Sequence, residues 1–262
     1  MDKYSGLMTN TLSMPLIYFN KADETLSGEA ISFFENGIKA LERKDINDTF
    51  NNFSRALEIC PNSAHVLNNM GSLMASIGRP ADSIKYLENG INRNPKNVQL
   101  RYNLGTLFLN NNILKDAQSQ LMQAYSLQSN NVTVANNLGL VYLNMNELEE
   151  AKKIFSEIIT NENNFDIAYH NLAFVLYKES KYSEALDLFK AALLKNNNNP
   201  ITLNDMGCCY YCLNDVDGAI ECFKQSASIR PDFKAAYFNI GYVMYQENMT
   251  ICSFKEGACC QG

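Results

Sequence analysis

Seven small residues recur at an interval of 34: Gly37, Gly71, Gly105, Gly139, Ala173, Gly207 and Gly241, with no insertion between them. A fixed period of this length constrains the fold more tightly than composition does. Each unit must be one supersecondary element that buries its apolar face only against the next copy. Two further columns keep the register. Thr49, Ser83, Ala117, Ala151, Ala185 and Ala219 follow 12 residues later, and the bulky Phe53, Leu87, Leu121, Phe155, Phe189 and Phe223 stand 4 beyond those. Pro61, Pro95 and Pro231 mark the ends of three units, where Ser129, Asn163 and Asn197 stand in the others. Each unit carries two apolar stretches at helical spacing, such as Leu138/Tyr142 and then Ala151/Ile154/Phe155/Ile158. The small columns let two helices approach, and the bulky column fills the space beside them.

Leu138-Gly139-x2-Tyr142 followed by Ala151-x3-Phe155 resembles the tetratricopeptide repeat, whose pattern is W-x2-L-G-x2-Y…A-x3-F…P. The register gives six full repeats at 30–63, 64–97, 98–131, 132–165, 166–199 and 200–233, and a partial one at 234–248 beginning Tyr237-x2-Ile240-Gly241. Asn36 replaces the usual Leu in the first repeat, and Trp is absent throughout. The resemblance implies an all-α fold, a right-handed α-solenoid of stacked antiparallel helix pairs. Asn146-Glu147-Leu148-Glu149 reads as a capping box, and Asn199-Pro200 as an N-cap followed by proline at N1. Residues 1–29 are expected to be partly disordered or to cover the first repeat. Residues 249–262 form an atypical tail in which Gly257 falls where the bulky column should stand.

In this family the first helix of each repeat lines the concave surface. Counting within each repeat, positions 2, 5, 6, 9, 12 and 13 share one face of that helix. Position 6 reads Glu35, Asn69, Asn103, Asn137, Asn171, Asp205, Asn239. With 35 asparagines in 262 residues, chance supplies about one per column of seven, and five is well beyond that. A carboxamide donates and accepts, so a file of them can clamp the main chain of an extended peptide. A structural ladder, each Asn bonding the neighbouring repeat's backbone, is the alternative. The file resembles that of the repeat arm of O-linked N-acetylglucosamine transferases. That resemblance carries a peptide-holding role to Asn69, Asn103, Asn137, Asn171 and Asn239, whereas Asp205 joins the candidate site by column alone. Position 5 places Tyr102 and His170 beside the file, and position 12 adds Tyr177 and Tyr211. Those tyrosines are read either as an aromatic groove wall or as packing between adjacent first helices.

Several function classes fall away on charge and motif. A net charge of −6 argues against a nucleic-acid partner, and positions 2, 5, 6 and 9 carry no Lys or Arg to grip a ligand carboxylate. No apolar run approaches the length of a membrane span, and no secretory signal is evident at the start of the chain. The eight cysteines are therefore expected in a reducing, cytoplasmic setting rather than in disulfides. Cys208, Cys209, Cys212 and Cys222 include one C-x2-C, which lacks the second pair of a zinc ribbon, so packing is the expected role and no metal is assigned. His65 and His170 lie three repeats apart, and no phosphate loop or nucleophile set appears. No catalytic residue or cofactor is expected. The reading is a non-catalytic scaffold or adaptor holding an extended peptide in the groove, with weak self-association through an uncapped end. The alternative is the substrate-targeting arm of a larger enzyme such as a protein glycosyltransferase.

Overall fold

The computed structural model describes residues 16–22 and 25–259, with side chains in the last helix described as far as Glu247. Among the described residues there are thirteen helices and no strand, an all-α repeat solenoid that divides into two compact units. The first unit, Ser13–Glu147, contains α1 (Glu29–Glu42), α2 (Ile46–Ile59), α3 (Ala64–Ser76), α4 (Pro80–Arg93), α5 (Val98–Asn110), α6 (Leu114–Leu127) and α7 (Val132–Asn144). The second, from Leu148 onward, contains α8 (Leu148–Asn161), α9 (Asp166–Lys178), α10 (Tyr182–Lys195), α11 (Pro200–Cys212), α12 (Val216–Ile229) and α13 (Lys234–Cys259). From α3 onward, each odd-numbered helix begins at the first residue of the repeat frame. Within each unit it packs on its even-numbered partner and on the next odd-numbered helix.

The small-residue column decides how closely a pair can pack. A Cβ built on Gly37 would lie 2.5 Å from the Phe53 ring, one on Gly71 2.7 Å from Leu87, one on Gly105 2.6 Å from Leu121, and one on Gly207 2.6 Å from Phe223. Phe53, Leu87, Leu121 and Phe223 are each completely buried against that gap. Ala173, in the same core cluster as Phe189 in the second unit, shows that the column accommodates a methyl at that position.

The turns account for much of the asparagine. The middle residue of each three-residue turn adopts a left-handed conformation: Lys44, Gly78, Asn112, Asn146, Ser180 and Asn214, with φ between 59° and 75°. The following N–H reaches back five residues, as in Ile113 to the Phe108 carbonyl at 2.9 Å and Asp215 to Tyr210 at 2.9 Å. This is the Schellman closure of a helix C-terminus, and Asn tolerates its left-handed residue better than most side chains do. Asn97, Asn131 and Asn199 instead cap α5, α7 and α11 through their side-chain oxygens. Asn199-Pro200 therefore behaves as its sequence suggests. Asn146 does not: at φ 63° it is the left-handed turn residue two positions before α8, and the capping-box expectation fails there.

The two ends differ from the regular repeats. Residues 16–22 lie over α3 and α5, in the second and third repeats, and Phe19 and Ala22 also pack against the cluster that joins Ala30, Phe34 and Phe53 of the first repeat to Val66 and Met70 of α3. Met14, Pro15 and everything before them lie outside the described residues. At the other end α13 runs straight to Cys259, past the position where the earlier repeats turn. A Cβ added at Gly241 would meet nothing within 4 Å, and Tyr237, Phe238, Met244 and Tyr245 are exposed. The side chains of Cys252, Cys259 and Cys260 lie outside the described residues.

This contrast gives an expected pair of outcomes. Gly105→Val, which forces β-branched bulk onto Leu121, should lower the unfolding free energy by about 1–3 kcal/mol. Gly241→Ala should leave it unchanged or raise it by up to about 1 kcal/mol through helix propensity. Urea denaturation followed by circular dichroism compares them.

Candidate functional site

The asparagine column lies on the faces of the odd-numbered helices, and in the first unit part of it is engaged by the chain itself. Residues 16–20 have no regular secondary structure and cross α5 and α3. The Phe19 N–H donates to Asn69 Oδ1 at 2.8 Å, while Asn69 Nδ2 donates to the Phe19 carbonyl at 2.8 Å. One repeat on, the Ile17 N–H donates to Asn103 Oδ1 at 2.9 Å and Asn103 Nδ2 returns to the Ile17 carbonyl at 2.7 Å. Each carboxamide thus meets both main-chain groups of one residue, as a neighbouring strand would, and Tyr18 between them is skipped. Asn68 Nδ2 adds a bond to the Ile17 carbonyl at 2.9 Å. His65, at the start of α3, stacks on the Phe19 ring at 3.7 Å and its Nδ1 lies 2.8 Å from the Lys21 carbonyl. The segment runs opposite to the order of the repeats, at two residues per repeat.

The same carboxamides also tie the stack together. Asn103 Nδ2 reaches Asn68 Oδ1 at 2.8 Å and Ser72 Oγ at 3.1 Å; Asn137 Nδ2 reaches Tyr102 Oη at 3.3 Å and Thr106 Oγ1 at 2.9 Å. In the second unit Asn239 Nδ2 reaches Asn204 Oδ1 at 2.9 Å and Cys208 Sγ at 3.8 Å. The rule is diagonal: position 6 bonds positions 5 and 9 of the preceding repeat, 35 and 31 residues earlier. Asp205 keeps the 35-residue neighbour but not the hydrogen bond: its Oδ2 stands 3.6 Å from Nε2 of His170, its position-5 counterpart. An imidazole and an acid stand here where other repeats place two carboxamides. Asn69 is different, because Phe34 and Ile38 before it offer no acceptor.

The expected site residues therefore fall into groups. Asn69 and Asn103 hold the extended segment. Asn137, Asn171, Asp205 and Asn239 occupy the same column and are buried. Tyr102 and His170 are buried within the stacks, not standing beside an open file: Tyr102 against Asn137, and His170 between Thr202, whose Oγ1 lies 3.0 Å from Nδ1, and the edge of the Phe189 ring. Tyr177 and Tyr211 pack between aromatic and cysteine neighbours, Tyr177 near Tyr182 and Cys212, Tyr211 edge-on to Tyr242. The ladder bonds that link repeats use side chains, not the neighbouring backbone anticipated from sequence. His65, Asn68 and Ser72 join the site only in the structure; the 35- and 31-residue spacings between columns, and the conjunction of His65 with an N-terminal aromatic, become signals only once the stacked repeats show which columns meet.

Burial sets the protonation of the remaining groups. Burial pushes the Tyr102 phenol up to about 12, with hydrogen bonds to Thr106 and Asn137 acting the other way. It also holds the Cys208 and Cys209 thiols well above their ordinary range and raises Cys222 to about 12, so all three are protonated near neutrality. These are packing thiols rather than nucleophiles. Among the described residues no cluster of His, Cys, Asp and Glu could hold a metal ion, and no helix is long and apolar enough to cross a membrane.

Two outcomes follow. Asn137→Ala, which removes the carboxamide donor shared by the buried Thr106 and Tyr102 hydroxyls, should lower the unfolding free energy by about 1–3 kcal/mol. Asn69→Ala, with no such partners in the preceding repeat, should cost the stack less; chemical denaturation separates the two. Folding raises the Tyr102 pKa, so the folded chain holds that proton more tightly. Its contribution is complete below about pH 10 and is lost as pH climbs through about 12. Tyr102→Phe should flatten that part of the stability–pH curve, measured by denaturation at stepped alkaline pH.

Sequence comparison agrees with this architecture. Models of the tetratricopeptide repeat match residues 70–132, 132–165 and 167–196, and a TPR repeat model matches 207–248. A 57-residue stretch is 35% identical to DnaJ homolog subfamily C member 7 of Mus musculus, spanning 22% of this chain and only 12% of that relative. Among solved structures, PilF of Pseudomonas aeruginosa superposes with a TM-score of 0.67 at 21% identity, covering 79% of this chain and 95% of that one. The Cut9–Hcn1 hetero-tetramer of the APC/C gives 0.70 at 19%, covering 82% and 42%. YrrB, a TPR protein with an unusual peptide-binding site, gives 0.54 at 18%, covering 71% and 96%. At these identities the structural likeness speaks for the fold alone. Taken with the unbroken 34-residue register and the paired helices, the matches establish that the chain belongs to the tetratricopeptide repeat proteins.

Proposed function

We propose that this protein is a non-catalytic interaction scaffold that holds an extended segment of a protein partner along the asparagine-bearing face of its first helices. The observation that carries this reading is the double hydrogen bond of Asn69 with Phe19 and of Asn103 with Ile17. Both carboxamides engage main-chain groups, which every peptide possesses. Affinity then comes from the backbone, and selectivity from the side chains alongside it. His65 offers a flat ring for an aromatic residue, as it does for Phe19. The test is to select extended peptides from a displayed library on the full chain. A selected peptide should lose at least tenfold in affinity on Asn69→Ala, and again when its own bonded amides are N-methylated. Undiminished binding in both cases would sink the reading.

A second mode of association rests on α13. Tyr237, Phe238, Met244 and Tyr245 expose aromatic and thioether side chains on that helix. Weak self-association is assigned to it, and light scattering should show the mass rising with concentration in the native chain but not in a Phe238→Ser/Tyr245→Ser variant. A concentration-independent monomer would remove this assignment.

A further inference from the structure

The partner's place on Asn69 and Asn103 is already taken by the chain's own residues. Both carboxamides are completely buried in the presence of residues 16–21. We infer that residues 16–21, LIYFNK, are a built-in competitor that occupies the peptide-holding face of the second and third repeats, and that the partner is an extended segment of similar chemistry which displaces it. This rests on the peptide-holding reading above.

Three observations carry the inference. First, the hold is by main chain: the four bonds to Ile17 and Phe19 involve no side chain of the segment, so a foreign peptide in the same extended conformation reproduces all of them. Second, the segment is only shallowly packed, with Phe19 as the side chain that reaches the hydrophobic core. Leu16, Ile17, Tyr18 and Phe19 are only partly buried, and Asn20 and Lys21 are exposed. Third, the segment fits the face incompletely. Beside Leu16 and Tyr18 an open cleft of about 610 Å³ runs between Ser72, Ser76, Pro80 and Leu107. Burial pushes the Tyr18 phenol up, and its hydrogen bond to Ser76 opposes this, so the cleft already accepts a polar-tipped aromatic side chain. A partner with more bulk at the Leu16 and Tyr18 positions fills space that the chain's own segment leaves.

Polarity and register follow from the same bonds. The partner runs from the third repeat toward the first, is gripped at every second residue, and presents an aromatic residue to His65. The tether matters to the energetics. Residue 22 is joined to α1, which begins at Glu29, by a short link, so the segment competes at an effective concentration on the order of millimolar. An external peptide of equal intrinsic affinity therefore binds the native chain far more weakly than a chain whose segment has been disabled.

The experiment keeps the chain at full length. Ile17→Pro/Phe19→Pro deletes both main-chain donors while leaving the extended conformation allowed. The probe is a fluorescently labelled peptide with the sequence of residues 14–21, MPLIYFNK, read by anisotropy, with helicity checked by circular dichroism. The variant should bind the probe at least tenfold more tightly than the native chain, and adding Asn69→Ala should reverse the gain. Equal affinity for native chain and variant would overturn self-occupancy while leaving the peptide-holding face intact. Failure of both to bind, with helicity unchanged, would overturn both readings. Hydrogen exchange on the native chain gives a second measurement. The Ile17 and Phe19 amides should be protected and lose protection when the probe saturates, and exchange at the unfolded-chain rate would overturn the inference. Protection that persists only in a dimer would place the segment on a neighbouring copy and overturn its intramolecular assignment.

Discussion

Everything in this protein hangs on the approach of two helices at one missing side chain. At Gly37, Gly71, Gly105 and Gly207 a Cβ would come within about 2.5–2.7 Å of a buried Phe or Leu on the paired helix. That contact sets the separation within a repeat. The Schellman turn that follows, with its left-handed residue every 34 positions, sets the direction in which the second helix returns. Because both recur without slippage, successive first helices within each unit are brought side by side with the same face presented each time. A column of side chains then becomes a physical file. Gly241 marks the other limit: with nothing near it, α13 continues as one helix and its aromatic face stays open.

The file serves two ends with one chemical group. A carboxamide has two donors and an acceptor, so Asn103 bonds Asn68 behind it and Ile17 in front of it. Burying such groups is favourable only when their partners are supplied, which is why the pairing extends diagonally from repeat to repeat. At His170–Asp205 the same two column positions carry an imidazole and an acid, which approach to 3.6 Å rather than within hydrogen-bond distance. Asn69, at the start of the file, has a preceding repeat with only Phe34 and Ile38 to offer. Its carboxamide instead turns to the main chain of residue 19.

Much of this was legible in the residues. The period, the pair of helices per repeat, the small and bulky columns, and the cap at Asn199-Pro200 follow from spacing and local chemistry. The asparagine column was legible as an excess over chance. Its diagonal partners were not, because a column compared with itself shows only the 34-residue period, and the bonds run 35 and 31 residues back, between columns. Asn146 misled because its side chain suits both a cap and a left-handed turn, and only the backbone φ of 63° separates these. His170 and Tyr102 share the stripe that faces outward on a lone helix. Neighbouring repeats bury them, and a single helix carries no information about that.

The sequence by itself determined a tetratricopeptide array, because a strict 34-residue register admits only a unit that stacks on its own copy. It also determined where polar side chains recur along that array. What only the tertiary structure decided is which atoms those side chains meet. Hydrogen bonds are directional and short, so the difference between a carboxamide joining two repeats and one holding a peptide is a matter of an ångström and an angle. Nor could local pattern reveal that residues 16–21 lie across helices begun some fifty and eighty positions later. That placement depends on complementarity between an extended main chain and a surface that exists only once the repeats have stacked.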